Sequence, residues 1–168
     1  MNYKVGEKMS LKEEFIKVGY TENDYNEIRN SHSLINMKDE TISRHLKDIF
    51  TFFLKNGYTK DEVIKMTKSM PSIYGLSKEN MKQKIDFYDS IGMHVLAVID
   101  AKNLMQSVNL SYARYSFYMD KGFNIDIDNY KKLFIGQKQF EKSYGITKEE
   151  LLKKYDYNKF KEEKEKSL

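Results

Sequence analysis

Apolar residues recur along this chain at helical spacing. Val63, Met66 and Met70 fall at i, i+3 and i+7, and Met81, Ile85, Tyr88 and Ile91 form a second stripe. Such a period places each set on one face of a 3.6-residue helix. Ile42, Leu46, Ile49 and Phe53 make the most regular stripe, preceded by Tyr25, Ile28 and His32 on a helix of their own. A further helix over residues 94–105 is apolar nearly all round, and later stretches carry Leu133 and Phe134, then Leu151, Leu152 and Tyr155. No segment of four or more residues alternates cleanly between apolar and polar with strand-like flanks, so the pattern predicts an all-α protein.

Hydroxyl residues and glycines punctuate these stripes. Thr59 precedes Glu62 by three residues and Thr147 precedes Glu150 by three, the spacing of a capping box. Ser77 and Ser111 stand where further helices should start, Pro71 should end the helix before it, and Gly92 should close the next. A phrase of glycine, aromatic or large apolar residue, and cap then repeats at Gly19-Tyr20-Thr21, Gly57-Tyr58-Thr59, Gly92-Met93-His94 and Gly122-Phe123-Asn124, at spacings of 38, 35 and 30 residues. Tyr74-Gly75-Leu76-Ser77-Lys78-Glu79 also returns as Tyr144-Gly145-Ile146-Thr147-Lys148-Glu149, 70 residues on. A period in this range marks a helical repeat, whose units bury their apolar faces on one another. The second serine-initiated helix, from Ser111, reads as about one turn shorter than the one from Ser77.

The second unit, taken whole, resembles a repeat of the mitochondrial transcription termination factor (mTERF) family. The resemblance is carried by Leu54-Lys55-Asn56-Gly57, the capped helix Thr59-Lys60-Asp61-Glu62-Val63, Pro71, the bend Ile73-Tyr74-Gly75-Leu76-Ser77 and the run to Ile91-Gly92. It implies a short right-handed helical-repeat solenoid of about four units, each of two to three helices, and a nucleic-acid-binding role. Residues 1–157 are expected to form a single repeat domain, with 158–168 as a charged tail or helix extension.

Composition narrows the functional classes. The chain of 168 residues has no cysteine, which excludes disulfides, thiolate metal ligands and a cysteine nucleophile. Its longest apolar run, residues 95–99, is far below the roughly 20 residues that span a bilayer. The first fifteen residues carry Glu7, Glu13 and Glu14 and no apolar core, so neither a signal peptide nor an acid-poor transit peptide is expected. A cytoplasmic location follows as the expectation.

The net charge is +4, and the positive excess is uneven. Residues 65–84 hold Lys65, Lys68, Lys78, Lys82 and Lys84 against Glu79 alone, and a smaller excess lies at Lys131, Lys132, Lys138 and Lys142 against Glu141. Lysines on successive repeats can track a phosphate backbone and release its counterions, which makes Lys65, Lys68, Lys82, Lys84, Arg114, Lys131 and Lys132 the candidate nucleic-acid contacts. With three arginines, Arg29, Arg44 and Arg114, an extensive code of bidentate guanine contacts is not expected, and the ligand reads as either DNA or RNA. Tyr112, Tyr115, Phe117, Tyr118 and Phe123 could stack unpaired bases beside Arg114, although rings at helical spacing ordinarily fill a core.

No enzyme signature stands beside these residues. His32, His45 and His94 have no metal-ligand spacing, Asp126 and Asp128 fit a helix-start role, and no glycine-rich phosphate loop, cofactor motif or small-molecule site is legible. The alternative reading is a protein-interaction module that holds a partner helix or peptide on its concave face.

Overall fold

The computed structural model of the chain describes residues 9–167. Residues 1–8, where Glu7 of the leader expectation falls, lie outside them. The helices are α1 (Leu11–Val18), α2 (Glu22–Arg29), α3 (Asp39–Lys55), α4 (Lys60–Ser69), α5 (Lys78–Ser90), α6 (Leu96–Ile99), α7 (Val108–Asp120), α8 (Gln137–Tyr144), α9 (Lys148–Lys154) and α10 (Tyr157–Lys166). Three 3₁₀ turns, Pro71–Gly75, Ala101–Met105 and Tyr130–Phe134, interrupt them, and no strand occurs among the described residues.

The glycine-aromatic phrase is a helix C-cap repeated four times. At the end of α3 the N–H of Gly57 donates to the carbonyl of Leu54 and that of Tyr58 to Phe53; after α5, Gly92 and Met93 bond in the same way to Asp89 and Tyr88. These paired bonds define the Schellman motif, which needs a left-handed residue at the glycine. Gly57 has φ 92° and Gly92 φ 72°, conformations that a Cβ disfavours. The large residue after the glycine folds back on the helix: Tyr20 meets Phe15, Tyr58 meets Phe53 and Phe123 meets Tyr118, with ring centroids 5.0, 5.6 and 6.1 Å apart. The phrase thus carries both the hydrogen bonds and the hydrophobic contact of the cap.

Each repeat is a helix, a bend and a second helix; the spacing first falls as the second helix goes from 17 residues in α3 to 13 in α5, and falls again as the first helix shrinks. That helix has 8 residues in α2, 10 in α4 and 4 in α6. In the fourth repeat it gives way to a turn in which Asp126 Oδ1 accepts from the N–H groups of Asp128 (2.9 Å) and Asn129 (3.2 Å). The helix expected over residues 94–105 is therefore only α6 followed by a 3₁₀ turn. His94 turns its ring back onto Asp89 (2.5 Å) rather than capping a helix, and Val95, Val98 and Ile99 are weak helix formers. His32 likewise lies beyond the end of α2, exposed on the bend at residues 31–37.

Backbone contacts divide the chain into two compact units, one of residues up to Lys78 with Val98–Lys102, the other of Glu79–Ala97 with Asn103–Leu168. In the first unit Phe15, Ile28, Leu34, Ile42, Phe53, Val63, Met66 and Ile73 are buried. A chain of hydroxyls runs through this core. Thr67 donates to the Val63 carbonyl (2.9 Å), accepts from Tyr20 (2.5 Å), and Tyr20 in turn accepts from Tyr74 (2.7 Å). Burial pushes both phenols above their ordinary pKa.

In the second unit α7 is the axis, packed against α9, α10 and the Tyr130–Phe134 turn. Its cap is Ser107, whose Oγ accepts from the Leu110 N–H (3.2 Å), and not Ser111, which is buried and accepts from Gln106. The helix therefore has the same 13 residues as α5. Phe117, Phe140, Leu133 and Leu151 fill the core. The charged C-terminal stretch is the helix α10, docked on α7 by Phe160 stacked on Tyr112 (4.9 Å, 26°) and by Tyr157.

Candidate nucleic-acid interface

One carbonyl in each bend accepts from a basic side chain, and this sorts the candidate cations. The residues that offer it, Leu34, Tyr74, Leu104 and Leu133, are all essentially buried. His45, Lys84 and Arg114 are each the seventh residue of α3, α5 and α7, and each bonds the fourth residue of the 3₁₀ turn that follows: Tyr74, Leu104 and Leu133. Arg29 does the same within its own repeat, reaching Leu34 (2.8 Å) and Met37 (3.0 Å). Four residues further along α5 and α7, Tyr88 and Tyr118 donate to the third residue of the same turns, Asn103 (3.2 Å) and Lys132 (2.9 Å). A bend leaves a backbone carbonyl without a helical partner inside apolar packing, where an unmet acceptor costs about 1–3 kcal/mol. The side chain supplies that partner at Tyr74 and Leu104, and adds a second bond at Leu34, which also accepts from the Met37 N–H (2.9 Å), and at Leu133, which also accepts from Gln106 (2.9 Å).

Lys84 and Arg114 therefore both brace the fold, and of the two only Arg114 is fully buried. Arg114 is 1 % exposed. Its guanidinium donates to the carbonyls of Leu133 (3.0 Å) and Ile135 (2.7 Å) and to Gln137 Oε1 (3.2 Å), and lies 4.7 Å from the centre of the Phe140 ring. Lys84 is half-buried, and its desolvation lowers its pKa. The Arg114 guanidinium is enclosed, whereas the Lys84 side chain stays partly exposed beside Gln83 and Met105.

The other five candidates remain on the surface. Lys65 is exposed on α4 and makes no ion pair among the described residues, and Lys131 and Lys132 are exposed in the Tyr130–Phe134 turn. Lys132 Nζ sits 5.0 Å from the centre of the exposed Phe123 ring. Lys68 and Lys82 are exposed but shared. Lys68 bonds Asp24 (3.1 Å), a buried carboxylate that caps α2 by accepting from the Thr21 N–H (2.9 Å), and Lys82 pairs with Asp86 (2.5 Å) one turn along α5. The Thr21 N–H and then Lys68 hold the Asp24 carboxyl below its ordinary range.

The five aromatic candidates divide by burial. Phe117 and Tyr118 are core residues, Tyr112 and Tyr115 are half-buried beside Phe87, and Phe123 is 45 % exposed. No group of three His, Asp or Glu side chains among the described residues could hold a metal ion. No helix among them is long and apolar enough to cross a membrane. Sequence reasoning missed His45, Arg29 and the two clamping tyrosines; a basic residue recurring at the seventh position of α3, α5 and α7 finds His45, a tyrosine four residues on finds Tyr88 and Tyr118, and Arg29, at the end of α2, lies outside that pattern.

A family model described as mTERF matches residues 6–107, well over half of the chain. No curated protein matches the chain, and no solved structure does.

Proposed function

The chain belongs to the mTERF family of helical-repeat, nucleic-acid-binding proteins, and from that membership we propose that it binds nucleic acid through the phosphate backbone, as a regulator of transcription or translation. The observation that carries the reading is the match over residues 6–107, inside which Lys65 stands exposed with no acidic partner among the described residues. Lys131 and Lys132 add two exposed cations in the Tyr130–Phe134 turn. Lys68 and Lys82 contribute less, because a phosphate must compete with Asp24 and Asp86 for them. Contacts of this kind position a ligand without reading its sequence, and they weaken steeply with salt.

The test is binding of the purified chain to single-stranded and duplex DNA and RNA across a salt series. The triple variant Lys65→Glu, Lys131→Glu, Lys132→Glu is expected to lose about tenfold or more in affinity at low salt and to flatten the salt dependence. Failure to retain any of these nucleic acids at low salt ends the reading.

A further inference from the structure

Residues 153–161 read Lys-Lys-Tyr-Asp-Tyr-Asn-Lys-Phe-Lys, four lysines interleaved with three rings, and they lie outside the family-matched residues 6–107. The single acid in the run, Asp156, is spent on the backbone. Its Oδ1 accepts from the N–H groups of Asn158 (2.9 Å) and Lys159 (3.4 Å) and so starts α10.

α10 sits on α7 without burying any of its residues fully. Phe160 stacks on Tyr112 by one face, and Tyr157 meets the edge of the same ring, which leaves both half-exposed. A groove runs along each side of the helix. One, of about 280 Å³, is lined by Lys82, Phe87, Tyr157, Phe160, Lys161 and Lys164 with the acids Asp86 and Glu165; Asp86 is already held by Lys82. The other, of about 200 Å³, is lined by Tyr112, Lys153, Lys154, Tyr155, Lys159 and Phe160 with Asp156 and Glu163. Each groove therefore combines rings with lysines, and Phe160 belongs to both.

We propose that the two grooves flanking α10 form a binding site for single-stranded nucleic acid, with bases against Tyr155, Tyr157 and Phe160 and the backbone along Lys153, Lys154, Lys159, Lys161 and Lys164. The proposal rests on the nucleic-acid reading above and adds to it the strandedness of the ligand and a site whose rings and lysines on residues 153–164 lie beyond the family match. Only an unpaired base has a free face to lay on a ring, and stacking tolerates any sequence. Lysine rims suit this ligand, because a flexible ammonium follows a backbone of variable path where a guanidinium fork would demand fixed geometry.

The experiment uses the full chain with labelled oligo(dT), oligo(U), an abasic strand of the same length and a mixed-sequence DNA duplex. Single strands should bind more tightly than the duplex, and oligo(dT) more tightly than the abasic strand by about tenfold. The surface variant Lys153→Gln, Lys154→Gln, Lys159→Gln, Lys161→Gln should keep its helical circular dichroism, lose single-strand affinity, and reduce the slope of log affinity against log salt by about 0.7 for each contact removed. Phe160→Leu, which keeps an apolar anchor for α10, should erase the preference for oligo(dT) over the abasic strand. Unchanged single-strand affinity and slope in the lysine variant overturn the inference, as does equal binding of abasic and base-bearing strands. Binding of the duplex alone overturns it while leaving the family-level reading intact, and retention of no nucleic acid overturns both.

Discussion

The N–H of Tyr58 donates to the carbonyl of Phe53 five residues back (3.0 Å), and the two rings meet edge to face at 5.6 Å. Gly57 lies between them at φ 92° and makes the reversal possible. A Cβ there should cost about 1–2 kcal/mol. Gly57→Ala is therefore expected to lower the melting temperature by about 2–8 °C, at about 2–4 °C per kcal/mol for a chain of this size. Calorimetry of the variant checks it; an unchanged melting temperature would show that the cap is dispensable.

Arg114→Met keeps most of the side-chain volume and removes the donors to Leu133, Ile135 and Gln137. A loss of about 3 kcal/mol is expected, since buried acceptors are left short of a cationic partner. Urea unfolding reads the loss. Nucleic-acid affinity, measured below the unfolding transition, should not change, because the guanidinium faces inward. A variant that stays fully stable but loses affinity would return Arg114 to the binding surface.

Ser107 and Ser111 are one helical turn apart and are separated by a single comparison. Ser107→Ala removes the hydroxyl that accepts from the Leu110 N–H and should cost about 1 kcal/mol. Hydrogen exchange at the Leu110 amide should quicken in that variant. Ser111→Ala should leave the same amide protected, since Ser111 lies inside the helix.

The contrast between these two serines shows which parts of the fold were legible in the sequence. Caps that depend on neighbours within a few residues were readable: Thr59 forms the full capping box its spacing marks, Thr147 accepts from the Glu150 N–H as its half of the other, and the glycine phrase marks the ends of α3, α5 and α7. Choices settled by burial from distant segments were not. Both serines can cap, and only the packing around α7 decides that Ser111 is covered. Lys84 and Arg114 look like any surface cation in a lysine-rich chain, because the carbonyls they serve lie 20 and 19 residues further on. The C-terminal stretch looked solvated because Tyr157 and Phe160 are too few to form a stripe, yet Tyr112 gives them a place to dock. Gly75 and Gly145 share a phrase but not a conformation: only Gly145 is left-handed, φ 66°, because it ends a helix while Gly75 ends a 3₁₀ turn.

Acid should weaken the first unit through Asp24. Its carboxyl is held below the ordinary range by the Thr21 N–H and Lys68, so the charged form is favoured in the folded state. That contribution is present above the unfolded value of about 3.9 and is lost as pH falls through the depressed folded value. Asp24→Asn should make unfolding free energy less dependent on pH below about 5, and should release Lys68 from its pairing. Chemical denaturation across that pH range checks the sign; an equally steep acid dependence in the variant would assign it to other carboxylates.

The bend clamps have a direction. Arg29 closes its own turn, whereas His45, Lys84 and Arg114 reach forward to a turn not yet made when their helices emerge during synthesis. The acceptors of Arg114, on Leu133, Ile135 and Gln137, are all made after it. Shortening the chain from its C-terminal side would thus harm the last surviving repeat more than shortening it from the other, and a stop placed before the Tyr130–Phe134 turn would leave an orphaned cation at the break. In a stack that reads forward in this way, the order in which repeats are completed is written into which helix carries the cation.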